Sequence, residues 1–232
     1  MIRKFILTLL TVGAALGLAL GIAPGAVSAH DSSTSKVFGS VDVAPGEHLG
    51  DVSTVNGSVN VGPDAVVGHA HTVNGGVHLQ SRGTAADLTT VNGGIHVEES
   101  GRVTGDVHTV NGGLFIAKSA DVAGDVGTVN GGIHIQSAHV GGSVVTTNGS
   151  MDIGPEARID GNVVMKENGD DGFHWGHEHI PHVVIEPGTV VKGELRFERK
   201  VILYVSDRAT IGAVHGADVV KFSGDHPPQD WD

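Results

Sequence analysis

The sequence repeats one four-residue block, Thr-Val-Asn-Gly or its variant Thr-Thr-Asn-Gly, six times between residues 54 and 149. The asparagines of successive blocks are 18, 18, 19, 19 and 18 residues apart. A repeat this short cannot bury an apolar face alone and must stack on the next copy, which is the organisation of a solenoid. The chain is therefore predicted to be all-β, a single-stranded parallel β-helix with 18–19-residue rungs.

Each repeat is predicted to hold two short strands joined by turns. After the Asn-Gly corner, apolar and polar residues alternate, as in Ile95-His96-Val97, which places the outer two side chains inside and the central one outside. Within the next block Val107 and Val110 lie three residues apart, so strict alternation would place one of them outside. We therefore predict a bend there that keeps both valines inside.

The asparagines are predicted to stack at this corner, one per rung, about 4.8 Å apart, as neighbouring strands are. Their amides can then hydrogen-bond along the stack, and Asn tolerates the left-handed turn before Gly. This pattern predicts a structural ladder, not a ligand site. Its members are Asn56, Asn74, Asn92, Asn111, Asn130 and Asn148.

Residues 1–29 have the composition of a signal peptide. Arg3 and Lys4 precede an apolar run over residues 5–23, and Val27-Ser28-Ala29 offers a small-residue cleavage site. We expect cleavage near Ala29 and a periplasmic, cell-surface or secreted protein. An uncleaved membrane anchor is the alternative, because the apolar run approaches the length of a membrane span. The chain has no cysteine, which excludes disulfides, thiolate ligands and a lipid anchor on cysteine.

The remainder of the chain is predicted to form one elongated domain. Regular rungs are expected over residues 30–166 and less regular ones over 183–223. Residues 167–182 have no counterpart in the repeat and are predicted to be an inserted loop, since insertions in solenoids project from one face. Residues 224–232, which include Pro227 and Pro228, are predicted to be a disordered tail.

Charge and motifs argue against several classes of function. The net charge is −12 at pH 7, and no basic stripe is present to replace phosphate counterions, so nucleic-acid binding is not expected. No nucleotide-binding fingerprint or nucleophile elbow occurs, and carboxylates such as Asp51, Asp106 and Asp125 recur in turns, where they bond the backbone. The chain is therefore predicted not to be an enzyme and to need no cofactor.

The inserted loop holds the most promising set of possible metal ligands. Neutral imidazoles bind Zn, Cu or Ni, and four on one loop can converge on a single ion. The alternative is an exposed polar loop without a ligand, because no HExxH arrangement accompanies the histidines. The four residues are His174, His177, His179 and His182.

A second histidine-rich set is the outward position of the strand that follows each corner. Histidines on successive rungs lie close enough to share a metal or to titrate together near neutral pH. The alternative is that any polar or aromatic residue suits an exposed strand position. The column is Asn60, His78, His96, Phe115, His134 and Asp152.

Two families resemble this chain over roughly residues 36–223. The Gly-Asp-Val and Thr-Val-Asn-Gly-Gly-(Ile/Val)-His-(Ile/Val) rhythm resembles a β-strand-repeat, adhesin-like family of unknown function. The stretches Pro155 to Val163 and Glu186 to Leu195 resemble bactofilins, which are polymer-forming cytoskeletal proteins. The resemblance implies a right-handed parallel β-helix and, for bactofilins, end-to-end polymerisation without a nucleotide.

These observations lead to two functional expectations. The first is an exported, non-catalytic β-helical protein of the cell envelope that acts as a structural or self-assembling scaffold, since the open ends of a β-helix expose unpaired strand edges. Phe38, Phe197 and Phe222 lie near the predicted ends. The second is a periplasmic or surface module that binds metal or adheres through the loop at residues 167–182.

Overall fold

A computed structural model of the chain describes residues 32–167 and 180–228. Within these residues the protein is all-β, with strands numbered β1 to β26 in chain order and no helix. Every paired strand is parallel to its counterpart on the next rung, typically 18 or 19 residues away. The described residues thus form a parallel β-solenoid with about ten turns, which confirms the predicted fold class.

Three sheets run along the solenoid. Sheet A contains β1 (Thr34–Phe38), β3 (Val52–Asn56), β5 (His69–Asn74), β8 (Asp87–Asn92), β11 (Val107–Asn111), β14 (Val126–Gly127), β17 (Val144–Thr146), β20 (Val163–Met165), β23 (Leu195–Phe197) and β25 (Val214–His215). Sheet B contains β2 (Val41–Val43), β4 (Val59–Val61), β6 (Val77–Leu79), β9 (Ile95–Val97), β12 (Leu114–Ile116), β15 (Ile133–Ile135), β18 (Met151–Ile153), β21 (His182–Ile185), β24 (Ile202–Ser206) and β26 (Val219–Phe222). Sheet C contains β7 (Thr84–Ala85), β10 (Arg102–Val103), β13 (Asp121–Val122), β16 (His139–Val140), β19 (Arg158–Ile159) and β22 (Val190–Val191).

Sheet C corrects the expectation of two strands per repeat. Its strands have only two residues each, and the second of each pair, such as Val103, is buried. A two-residue strand is too short to show period-two alternation in sequence. The sequence of this segment therefore has only the pattern of a turn, although the segment contains a strand.

The interior consists of columns of aliphatic side chains, one from each rung. In β9 both Ile95 and Val97 have no exposed surface, while His96 between them points outward. Burying one such aliphatic side chain contributes roughly 1.5–3 kcal/mol. Each rung covers the apolar residues of its neighbours, so this stabilisation depends on stacking rather than on any single rung.

The bend predicted inside the Thr-Val-Asn block is wrong. Strand β11 runs straight from Val107 to Asn111, so alternation continues: Thr109 points inward and is 1% exposed, and Val110 points outward. The buried hydroxyl is accommodated because Thr109 Oγ1 donates a hydrogen bond to the carbonyl oxygen of Gly93 on the preceding rung, at 2.8 Å. A threonine can therefore occupy a core position that the pattern seemed to reserve for valine.

The same bond recurs along sheet A. The threonine hydroxyls of six consecutive rungs donate to the first glycine of the preceding corner, at distances from 2.7 to 3.2 Å. The donors are Thr54, Thr72, Thr90, Thr109, Thr128 and Thr146. Each corner of these six rungs is thus tied to the one before it by a buried side-chain bond in addition to its strand pairing.

The chain leaves the repeat between β20 and β21 and returns in register. Thr146 and Met151 are five residues apart, whereas their partners on the next rung, Met165 and Val183, are 18 residues apart. The insertion thus lengthens one rung without shifting the pairing on either side. Residues 168–179, which include most of the predicted loop, lie outside the described residues.

The start of the predicted C-terminal tail contacts the solenoid. Arg208 pairs with Asp225 at 2.7 Å, and Pro227 is buried. Residues 229–232 lie outside the described part of the chain.

Replacing Thr109 by valine or by serine distinguishes the contribution of its hydroxyl to stability from that of its side-chain shape. Thr109→Val keeps the shape but leaves the buried Gly93 carbonyl without its partner, so we expect a loss of about 1–3 kcal/mol in the free energy of unfolding. Thr109→Ser keeps the hydrogen bond and loses one methyl group, which costs about 1 kcal/mol. Urea unfolding of both variants gives the comparison, and a valine variant at least as stable as the serine variant would contradict this role of the hydroxyl.

Candidate functional site

The asparagines form a continuous amide ladder on the outer edge of sheet A. Each Nδ2 donates to Oδ1 of the asparagine one rung earlier, at 2.8–3.0 Å. The ladder runs through Asn56, Asn74, Asn92, Asn111, Asn130 and Asn148. All its bonds point the same way, so one end presents a free donor and the other a free acceptor.

A close backbone approach sets the position of this ladder. A Cβ atom on Gly112 would overlap the carbonyl oxygen of Gly93, and the first glycine of the other corners meets its neighbour in the same way. Only glycine therefore permits the rungs to stack at this point. The asparagine beside it is carried to within hydrogen-bonding distance of its counterpart.

The acceptor end of the ladder is closed by Arg199, which the sequence analysis did not single out. Its Nη1 donates to Asn148 Oδ1 at 2.8 Å and to the carbonyl oxygen of Thr147 at 3.2 Å. At the opposite end Phe38 pairs in register with Asn56 and takes the ladder position of the first rung. The repeat pattern could have placed Phe38 there, but Arg199 lies beyond the insertion, where the spacing no longer aligns.

Removing the Arg199 cap should destabilise the ladder. Arg199→Leu leaves Asn148 Oδ1 and the Thr147 carbonyl without a charged donor, and we expect a loss of about 1–3 kcal/mol in the free energy of unfolding. The matched control is Arg196→Leu, since Arg196 is exposed and its ion pair among the described residues is with the exposed Glu194 at 3.1 Å, which is worth about 1 kcal/mol or less. Equal losses in the two variants, measured by urea unfolding, would show that the cap adds nothing specific.

The outward column of sheet B brings four rings into contact. The ring centroids of His78 and His96 are 5.3 Å apart, those of His96 and Phe115 5.5 Å, and those of Phe115 and His134 5.2 Å. Strand register continues the column to Asn60 on one side and Asp152 on the other. The predicted column therefore exists as a stripe of adjacent rings, of which only Phe115 and His134 are stacked, and the interposed Phe115 joins the histidines into one series.

A glycine accompanies every ring of this stripe. The residue two positions before each ring is Gly76, Gly94, Gly113 or Gly132, whereas the rungs that carry Asp42, Asn60 and Asp152 have serine there. A Cβ on Gly76 would lie 3.1 Å from His78 Nε2, so the ring occupies the space that a side chain would need. This pairing of glycine with a ring is visible in the sequence and could have predicted the stripe.

The stripe ends at a group of ionisable side chains. His134 Nδ1 lies 2.9 Å from Asp152 Oδ2, and on the next rungs His226 Nδ1 lies 3.6 Å from Glu186 Oε1. The hydrogen bond to Asp152 raises the pKa of His134, although burial opposes it. Burial raises the pKa of the Glu186 carboxyl, and the charge of Asp152 raises it further. His134 and Glu186 therefore hold their protons more tightly than an ordinary histidine and an ordinary glutamate do.

An open hollow of about 440 Å³ adjoins this group. Its lining includes Ser150, His182 and Pro227 besides Asp152 and Glu186. Asp152 Oδ1 is buried and has no hydrogen-bond partner among the described residues. The hollow thus has two carboxyl groups in its lining, yet the described residues contain no group of three or more His, Asp or Glu side chains arranged to hold a metal ion.

The predicted metal ligands are only partly described. His174, His177 and His179 lie outside the described residues. His182 begins β21, where its backbone N donates to Ser150 Oγ at 3.1 Å and its side chain lines the hollow. The structure thus places the fourth histidine in one hollow with Asp152, a member of the outward column, and with Glu186, which was not among the predicted ligands.

Sheet C carries a further series of charge pairs between rungs. Arg102 pairs with Asp121 at 2.8 Å, His139 contacts Asp121 at 2.7 Å and Asp160 at 3.4 Å, and Lys192 pairs with Asp160 at 2.9 Å. These side chains are all partly exposed, so each pair is worth little by itself. Their position links consecutive rungs along the outside of the solenoid.

The raised pKa of His134 predicts a pH-dependent stability that Asp152→Asn removes. The folded protein binds the His134 proton more tightly than the unfolded chain, so this stabilisation is complete below the ordinary histidine pKa of about 6.5 and is lost as pH rises through the folded pKa. Burial lowers the pKa values of His71 and His78, which changes stability in the opposite direction. Because both proteins contain His71 and His78, comparing the native protein with Asp152→Asn cancels this opposing effect.

Urea midpoints of the native protein and the Asp152→Asn variant, measured between about pH 6 and 8.5, test this expectation. The midpoint of the native protein should fall relative to that of the variant as pH rises. Parallel pH profiles for the two proteins would refute the coupling of His134 to Asp152.

A membrane-spanning helix and similarity to known proteins are two further features that could indicate a function. None of the described residues forms a helix that could cross a membrane. Comparison with family models, with curated proteins and with solved structures finds no match for this chain.

Proposed function

We propose that this protein is a non-catalytic structural scaffold, exported to the cell envelope. The observation that carries the proposal is that the described outward side chains are bonded to one another from rung to rung. The amide ladder, the ring stripe and the charge pairs of sheet C each run along at least four consecutive rungs in one column of the surface. Such columns stiffen a rod, and they leave few polar groups to act on a substrate.

The length of the solenoid suits a spacer or scaffold. Ten strands in a sheet, at about 4.8 Å for each interval, span roughly 45 Å. The three parallel sheets share one continuous aliphatic core, so bending the rod would separate packed side chains. A solenoid of this kind holds two attached partners at a fixed distance.

The export part of the proposal comes from the sequence. Residues 1–29, with their positive start, apolar run and small-residue cleavage site, support secretion. The absence of cysteine is compatible with an oxidising compartment, because no thiol can be oxidised there. Periplasm, cell surface and secretion are all consistent with such a segment.

Fractionation of the native cell tests this proposal. The protein should be recovered from the envelope or the medium, and its measured mass should correspond to a chain that begins at His30. The control is the same gene with Ala29→Leu, which replaces the small residue before the cleavage site and should retain the leader. Recovery of the native protein from the cytoplasm with residues 1–29 intact would refute export.

The resemblance to bactofilins raises the question whether copies of the scaffold join end to end. Electron microscopy and light scattering of the purified protein over a concentration series decide this directly. Filaments would indicate a self-assembling scaffold, whereas single short rods of constant mass would indicate a discrete one.

The second candidate function is metal binding or adhesion through the insertion. It is favoured by the position of His182, which lines the hollow together with Asp152 and Glu186. Calorimetry with Zn²⁺ and Cu²⁺ tests it on a variant in which the four loop histidines are replaced by alanine. The variant should lose binding, and a control with His71 and His215 replaced should retain it. Unchanged affinity in the loop variant would eliminate the insertion as a site.

A further inference from the structure

The exposed large apolar side chains are concentrated in the first and last rungs. Val37 and Phe38 of β1 are 42% and 77% exposed, and Val219 and Val220 of β26 are 38% and 46% exposed. Among the described residues the only other exposed large apolar side chain is Val55. Strands β1, β2, β25 and β26 are also the ends of their sheets. Apolar strand edges of this kind invite pairing with a second copy.

The first rung carries a lysine where the following rungs carry a core residue. Lys36 pairs in register with Thr54, the first of the buried threonines of sheet A, which is 2% exposed. The Lys36 side chain is exposed, and its Nζ donates to the carbonyl oxygen of Ser40 on the same rung at 2.6 Å. A rung stacked onto this end would cover an ammonium group at a position that is otherwise part of the interior.

The last rung repeats this feature on a different sheet. Lys221 of β26 pairs in register with Val205, which is 3% exposed and continues an inward column of sheet B. Lys221 itself is exposed because no described rung follows it. Neither Lys36 nor Lys221 forms an ion pair with a described residue. Both ends of the solenoid thus have one charged inward position.

Stacking of a second copy would not neutralise these charges. Continuing the register from the last rung into the first rung of another copy brings Lys221 opposite Val43 and Lys36 opposite Gly216. Neither partner is a carboxylate, so each ammonium would lose water without gaining an opposite charge. Burying an unpaired charge costs far more than the exposed valines gain. Inward-pointing charge is a known means of preventing edge-to-edge association.

We infer that Lys36 and Lys221 are end stops, which keep the solenoid a discrete rod and mask two surfaces that otherwise fit a second copy of this chain. The inference concerns only how copies meet, so it holds whether or not the scaffold is exported. It also explains how a rod with apolar end strands can keep a fixed length, since the lysines prevent the contact that the valines and Phe38 would favour.

The full-length protein tests the inference with substitutions that restore the core residue at each end. Lys36→Thr introduces the residue that the next six rungs carry at this register position. Lys221→Val introduces the same residue as its register partner, Val205. A parallel contact between two copies buries both lysines, so each single variant still buries one charge at every contact and should remain discrete. The double variant should form end-to-end chains at concentrations at least ~10-fold below any association of the native protein. Sedimentation velocity gives the masses, and electron microscopy shows the direction of growth.

Two controls separate the inward charge from other effects. Lys36→Arg with Lys221→Arg keeps both charges and should remain discrete. Lys118→Thr removes one charge from an exposed turn on the side of the rod and should also remain discrete. Circular dichroism and thermal unfolding confirm that every variant is folded. Chains formed by the native protein, or a folded double variant that stays single throughout the concentration series, would overturn the inference.

Discussion

The close approach of successive backbones at the Asn-Gly corner is the constraint on which the rest of the solenoid depends. Gly112 lies so near the Gly93 carbonyl that no Cβ fits between them, and the same contact recurs in neighbouring rungs. That approach brings Thr109 Oγ1 within 2.8 Å of the Gly93 carbonyl and Asn111 Nδ2 within 2.9 Å of Asn92 Oδ1. One steric condition therefore positions a buried hydrogen bond and an exposed amide ladder together.

The outer surface follows from the same stacking. Because each rung repeats in register, a side chain that points outward meets its counterparts above and below it. Asn pairs with Asn, rings contact rings, and Asp121 contacts both Arg102 and His139. Many of the outward side chains thus find their bonding or contact partners on neighbouring rungs. The exceptions among the described residues are the hollow near Asp152, whose Oδ1 has no partner, and the two end rungs, whose apolar side chains are exposed.

The open sheet edges of a solenoid favour association, whereas the charged residues of the end rungs oppose it. A stack of parallel rungs has no intrinsic length limit, since each end presents the edge of a sheet. Lys36 and Lys221 occupy inward positions at these two edges, where any further rung would bury them. A scaffold built from this chain would then have its length set by the number of repeats in the gene rather than by the number of copies joined.

The sequence by itself determined the parallel β-solenoid and the rung length, because the spacing of the asparagines and the Ile95-His96-Val97 type of alternation are properties of the chain alone. Only the tertiary structure decided that Thr109 belongs to the core and Val110 to the surface. That choice depends on a carbonyl from another rung that can accept a hydrogen bond from the hydroxyl. Arg199 at the end of the ladder, the third sheet, and Glu186 beside Asp152 likewise depend on contacts between residues far apart in sequence, which a repeat pattern does not encode.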